Sequence, residues 1–236
     1  MEIIMKYKNY VFDLYGTLVD IHTDEDDKKL WTALAKFYSK QGANYTAKEI
    51  HADYIANVEK LLAVTEEIQI EEVFRQLYNA KGINADDTLV LKTCRFFRNH
   101  STEYIKLYPW SLPILKGLKE AGKGIYLLSN AQRSFTEHEL EILGIKEYFD
   151  VILISSDCKV KKPNSLFFNI LMERCNLNAK ECLFVGNDEI CDILGAKKMG
   201  MDTFYIHSNC SPEYTGNIKA TYTVMDALDT GKVELP

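Results

Sequence analysis

Several things are missing from this 236-residue chain. No apolar run approaches the roughly 18 residues that a membrane-spanning helix needs, so no spanning helix is expected. Positive charge is not in excess. The 28 Lys and Arg stand against 34 Asp and Glu, a formal net charge of −6, which argues against nucleic acid as a partner because phosphate-backbone binding rests on clustered basic residues. The stretch holding Lys159, Lys161 and Lys162 is too short to change that. The six cysteines, Cys94, Cys158, Cys175, Cys182, Cys191 and Cys210, contain no CxxC spacing, which removes the usual pattern of a zinc site or a redox pair and leaves free thiols. The opening MEIIMKYKNY has no long apolar stretch or small-residue cleavage site of a signal peptide. A reducing cytoplasm is the expected location. There is no internal repeat, low-complexity run or Gly/Ser linker.

What is present is the composition of an ordinary globular protein, 47% hydrophobic and 26% charged, long enough for one large domain or two modest ones. From about residue 23 to 104, apolar residues recur at helical spacing. Leu30, Leu34, Phe37 and Tyr38 give one face, Ile50, Tyr54, Ile55, Val58 and Leu61 a second, and Val73, Phe74, Leu77 and Tyr78 a third. Thr46 with Glu49 reads as a capping box opening the second helix, and Lys81-Gly82 as the stop of the third. A fourth helix is expected from near Asp86 to Tyr104.

From Tyr108 onward, helices and strands alternate. Residues 109–121 read as a helix, 124–129 as a short buried strand, 149–154 as a strand, 164–175 as a helix and 182–185 as a strand. Residues 192–199 then read as a helix, 203–206 as a strand and 221–224 as an edge strand. This alternation implies a parallel sheet with both faces covered. Residues 9–20, NYVFDLYGTLVD, supply one more strand, which must join that sheet across an insert of about 85 residues, too long for a simple crossover. The expected division is a core of residues 1–20 and 107–236 and a helical insert of 21–106.

Four stretches fall at the C-terminal ends of these strands, where a doubly wound sheet forms its crevice. They are Asp13-Leu-Tyr-Gly-Thr17, Ser129-Asn130, Lys162-Pro163, and Gly186-Asn-Asp-Glu-Ile-Cys-Asp192. By residue type, Asp13 suits a nucleophile that forms an acyl-type intermediate. Ser129 suits a hydroxyl donor beside an anion, with a helix N-cap as the alternative for Ser129 or Asn130. The acids of the last stretch suit a hard cation, with helix capping an equal alternative for Asp192.

In order and context these stretches resemble the four motifs of the haloacid dehalogenase superfamily, whose first is written hhhhDxDGT. The resemblance implies a Rossmann-like α/β core, doubly wound and mostly parallel, with an inserted all-helical cap. It implies a hydrolase acting through a covalent aspartyl intermediate on Asp13, with Lys162 neutralising the nucleophile and the transferring group. Thr17 would brace the turn and hydrogen-bond Asp13, while Ser129 and Asn130 would bind substrate. Mg2+ would be held by Asp13, the main-chain carbonyl of Tyr15, Asp192, and either Asn187 or Asp188, depending on how the fourth motif is aligned.

The departure from the pattern is Tyr15, which stands where phosphatases carry a second Asp that protonates the leaving alkoxide and activates water. A phenol of ordinary pKa near 10 is a poor base at neutral pH, and loss of a placed acid/base costs about a hundredfold to ten-thousandfold. Haloacid dehalogenases have Tyr here, need no metal and release halide. They also carry a cap Arg soon after the first motif, and the first Arg of this chain is Arg75. The expected activity is therefore a Mg2+-dependent phosphatase of a small phosphorylated metabolite with weakened acid/base catalysis. The alternatives are a metal-free 2-haloacid dehalogenase and a non-enzymatic protein that binds a metabolite or a protein partner.

Overall fold

The structure is a computed structural model and describes residues 6–236. The first five residues, part of the segment read above for a leader, lie outside it. Six strands form one parallel sheet in the order β5-β4-β1-β6-β7-β8. They are β1 (Asn9–Phe12), β4 (Gly124–Ser129), β5 (Val151–Ile154), β6 (Cys182–Gly186), β7 (Asp202–Ile206) and β8 (Tyr222–Val224). Period-2 alternation explains the two covered faces. Tyr10, Phe12, Leu183 and Val185 enter one buried cluster, whereas Val11 and Phe184 enter another on the opposite face. The α/β class with a mostly parallel sheet is thus as expected. Helices α5 (Ser111–Glu120), α6 (Arg133–Ile142) and α8 (Ser165–Cys175) connect the strands, with single turns at α7 (Ser155–Cys158), α9 (Gly195–Lys198) and α10 (Ala227–Thr230). Strand β1 pairs with β4 on one side and β6 on the other, so the order reverses there and the crevice opens at the ends of these three strands.

Between β1 and α5 lie four helices, α1 (Lys28–Ser39), α2 (Ala47–Leu62), α3 (Ile70–Asn79) and α4 (Asp87–Ser101). The capping box forms at the start of α2: Glu49 N–H donates to Thr46 Oγ1 and Thr46 N–H to Glu49 Oε2. The apolar faces of the four helices meet in one cluster that includes Trp31, Leu34, Tyr38, Phe74 and Phe97, joined by Phe135 from α6. Among the described residues no helix is long and apolar enough to cross a membrane.

The fourth helix does not reach Tyr104. It ends at Ser101, and β3 (Thr102–Leu107) pairs antiparallel with β2 (Val19–Thr23). This two-stranded ribbon carries the chain out of the sheet and back. Thr102, Tyr104 and Ile105 suit a pleated surface, yet their partner lies some eighty residues earlier, beyond any local pattern. The second departure follows β6. The helix expected over 192–199 begins three residues sooner as a π-helix (Glu189–Leu194), with Asp188 as its N-cap, and only then continues as α9.

Candidate active site

Asp13 follows the buried end of β1, and its N–H donates to Val185 O. The following turn is fixed by Gly16, whose φ of +85° is one that residues with a side chain rarely adopt. A Cβ at that position would meet Asn187 Nδ2 at 2.2 Å. The turn is held from outside the motif as well, because Trp110 Nε1 donates to Thr17 O at 2.9 Å and Ser111 Oγ to Leu18 O at 2.6 Å.

The four stretches meet. Lys162 Nζ donates to Asp13 Oδ1 and to Asp192 Oδ1, both at 2.7 Å. Ser129 Oγ lies 3.4 Å from Asp13 Oδ1, and Thr17 Oγ1 is 3.5 Å from Asp13 Oδ2 and 3.2 Å from Asn187 Oδ1. Asp13 Oδ2 and Asn187 Oδ1 thus share one hydroxyl, while Asp13 Oδ1 is taken by Lys162. A cavity of about 180 Å³ opens over this cluster, lined by Asp13, Tyr15, Asn130, Lys162, Asn187, Asp188 and Asp192 together with Cys191, Cys210 and Pro212.

The neighbours of these groups set their charge. Burial by itself would lower the Lys162 ammonium, but the facing Asp13 and Asp192 carboxylates outweigh burial and hold it well above its ordinary range. Burial raises the Asp192 carboxyl above its ordinary range against the pull of Lys162. Cys191 is pushed up to about 12, by burial first and then by Asp188 and Asp192, so its thiol is neutral at physiological pH.

Several side chains are placed otherwise than their sequence positions suggest. Asp192 caps nothing after it. Its Oδ2 accepts the N–H groups of Asn187 and Asp188, both at 3.0 Å, closing the loop that Asp188 then caps by accepting from Ile190 and Cys191. This close return needs Gly186, where a Cβ would meet Asp192 Oδ2 at 2.4 Å. Neither Ser129 nor Asn130 caps α6, whose N-cap is Gln132. Instead Asn130 grips the backbone of Lys162, its Nδ2 donating to Lys162 O at 3.0 Å and its Oδ1 accepting Lys162 N–H at 2.8 Å. Among the described residues no group of three or more His, Cys, Asp or Glu side chains is placed to hold a metal. A cation here would draw on amide, main-chain and water oxygens as well.

Tyr15 departs most from the role of an acid or base. Its hydroxyl is bonded to Glu139 Oε2 and lies 3.0 Å from Thr136 Oγ1, both on α6. Arg98 of α4 completes the joint, donating from Nε to Glu139 Oε1 at 2.6 Å, its guanidinium 5.7 Å from the Tyr15 ring centre. Burial, then the charge of Glu139, raises the phenol far above its ordinary value. The phenol therefore stays protonated at neutral pH.

Comparison with known proteins agrees with this layout. Residues 7–200 match the family model described as haloacid dehalogenase-like hydrolase. A phosphoglycolate phosphatase of Vibrio parahaemolyticus is 32% identical over 202 residues, spanning 84% of this chain and 82% of that protein. A pyrimidine 5'-nucleotidase of Streptococcus pneumoniae is 22% identical over 98% of both chains. The crystal structure of a 2-haloacid dehalogenase from Pseudomonas syringae pv. Tomato shares the fold, with a TM-score of 0.66 at 18% identity over 95% of this chain and 97% of that one. This chain is a hydrolase and belongs to the haloacid dehalogenase-like family.

Proposed function

We propose that the protein is a phosphatase of small phosphorylated metabolites, with Asp13 as nucleophile. The observation that carries this reading is the convergence on Asp13 of Lys162 Nζ at 2.7 Å and Ser129 Oγ at 3.4 Å, beneath an open cavity. Lys162 and Ser129 engage Oδ1, so Oδ2 is the attacking oxygen. It bonds to phosphorus as the phosphorus–alkoxide bond breaks, giving an acyl phosphate on Asp13. Water then attacks that phosphorus, returns the carboxylate and releases inorganic phosphate. Lys162 counters the charge on the transferring group, and Ser129 donates a hydrogen bond to it. Asn130 is a positioning residue that fixes the backbone of Lys162.

Mg2+ fits the donors here, because Asp13, Asn187, Asp188 and the main-chain carbonyl of Tyr15 offer the hard oxygens it prefers, with water and phosphate completing its shell. When bound it supplies positive charge to the transferring phosphoryl group. With its hydroxyl committed to Glu139 and Thr136, Tyr15 does not serve as the acid for the departing alkoxide, which takes its proton from water. Esters with good leaving groups are therefore favoured.

The test is phosphate release from p-nitrophenyl phosphate and from alkyl phosphates, with and without Mg2+, beside chloride release from 2-chloropropionate. Mg2+-dependent phosphate release that Asp13→Asn abolishes is expected. Metal-independent chloride release, or phosphate release unaffected by Asp13→Asn, overturns the reading.

A further inference from the structure

Resting on the phosphatase reading, we infer that the group esterified to the phosphate carries no negative charge and lies against the wall formed by Cys210 and Pro212 in the connection between β7 and β8. The charges around the cavity lead to this conclusion. Three carboxylates, Asp13, Asp188 and Asp192, line it against a single ammonium, Lys162. That ammonium is already shared between Asp13 and Asp192. Once a phosphoryl group has taken up what Lys162 and a bound cation offer, no positive side chain among the described residues lining the cavity is left for a second anionic group. Binding one there would leave its charge unpaired.

Two cations elsewhere in the molecule do not change this. Arg98, the arginine that reaches from the helical insert toward the first motif, is held by Glu139 and does not line the cavity. Lys106 on the ribbon pairs with Asp20 at 3.3 Å. Asp20 in turn stands behind the wall, with Cys210 Sγ 3.8 Å from its Oδ1.

The wall is fixed at three points, so it presents a defined surface to the cavity. Asn209 Nδ2 donates to Asp20 Oδ1 at 2.8 Å, and its Oδ1 accepts from Tyr108. Ser211 Oγ accepts from Ser208 N–H at 3.0 Å and sits 3.5 Å from Asn187 Nδ2. Glu189 accepts from Thr215 Oγ1 at 2.9 Å and from Ile218 N–H at 3.3 Å. The lining that remains for the leaving group, Cys191, Cys210 and Pro212, is uncharged. A phosphate monoester of a neutral alcohol matches it. Phosphoglycolate and 2-haloacids, each with a carboxylate on the carbon that bears the phosphoryl or halogen group, do not.

The experiment uses p-nitrophenyl phosphate as reporter and measures the competition constants of two esters of nearly equal size, phosphoglycolate and ethylene glycol monophosphate. Competition reads binding at the site whether or not either ester turns over. Ethylene glycol monophosphate is expected to compete at least about tenfold more strongly. Cys210→Arg should narrow or reverse that ratio, and Cys210→Ser should leave it in place. Phosphoglycolate competing as well or better in the unaltered protein overturns the inference and leaves the phosphatase reading standing, even if Cys210→Arg cannot be folded. Failure to hydrolyse p-nitrophenyl phosphate with Mg2+ removes the phosphatase reading itself, and this inference with it.

Discussion

Replacing Arg98 with Met keeps an unbranched apolar stem over Phe135 and Tyr15 and deletes one charge. It leaves Glu139, with a side chain only 7% exposed, as a buried carboxylate without its guanidinium. Breaking a buried pair in this way costs about 3 to 5 kcal/mol, most of it the penalty of the orphaned charge. Adding Glu139→Gln neutralises the orphan, so Arg98→Met/Glu139→Gln should be more stable than Arg98→Met alone by about 2 kcal/mol. Urea denaturation followed by tryptophan fluorescence and by circular dichroism reads Arg98→Met, Glu139→Gln and the double variant. The pair joins α4 of the helical insert to α6 beside the sheet, so the single variant should also loosen that junction, seen as faster amide exchange in α4. A loss below about 1 kcal/mol for Arg98→Met, or costs that simply add in the double variant, would refute the view that this joint is a desolvated and mutually dependent network.

Other expectations follow from single contacts. Tyr15→Phe should change kcat on p-nitrophenyl phosphate by less than about threefold, since its hydroxyl is engaged with Thr136 and Glu139; a fall of about a hundredfold or more would make the phenol an acid or base after all. Gly16→Ala should cost about 2 to 4 kcal/mol, from positive-φ strain together with collision with Asn187, and depress activity with it. Thermal melts and steady-state kinetics on the same preparation check both effects. Burial opposes ionisation of Glu189, but the hydrogen bonds from Thr215 and Ile218 outweigh it and hold the carboxyl below its ordinary value. A depressed carboxyl stabilises the fold fully above its unfolded pKa of about 4.3 and loses that contribution as pH falls through the folded value. The stability gap between the unaltered protein and Glu189→Gln should therefore be widest near neutrality and shrink below about pH 4, as urea midpoints across pH would record.

Much of the fold could be read from local signals. The apolar run before Asp13 and the turn after it identify β1 and its end, because a short buried strand and a Gly turn are written within nine residues. The capping box at Thr46 and Glu49 likewise needs only four. The features that local signals do not carry depend on partners far apart in the chain. The ribbon of β2 and β3 pairs Ile21 with Ile105, and neither stretch reads as a strand without the other. Asn130, at a strand end, reads as a substrate-binding residue or a helix cap, yet it caps no helix and its amide is matched to the Lys162 backbone, which only the fold brings near. The π-helix after Asp188 shifted the expected helix start, since its register is set by Asp192 folding back onto Asn187 and Asp188. The β7–β8 connection carried no motif at all, and only the walls of the cavity mark Cys210 and Pro212. Arg98 could not be paired in advance with Tyr15, from which it is separated by most of the helical insert.

In the proposed reaction Asp13 takes the phosphoryl group onto its own carboxylate. Rapid mixing of the protein with p-nitrophenyl phosphate and Mg2+, acid quenching within the first turnover and peptide mass spectrometry test it directly. A phosphoryl increment on the peptide carrying Asp13, converted by borohydride to homoserine at that position, is the predicted result. Full release of phosphate in the burst with no modified Asp13 at any quench time contradicts it.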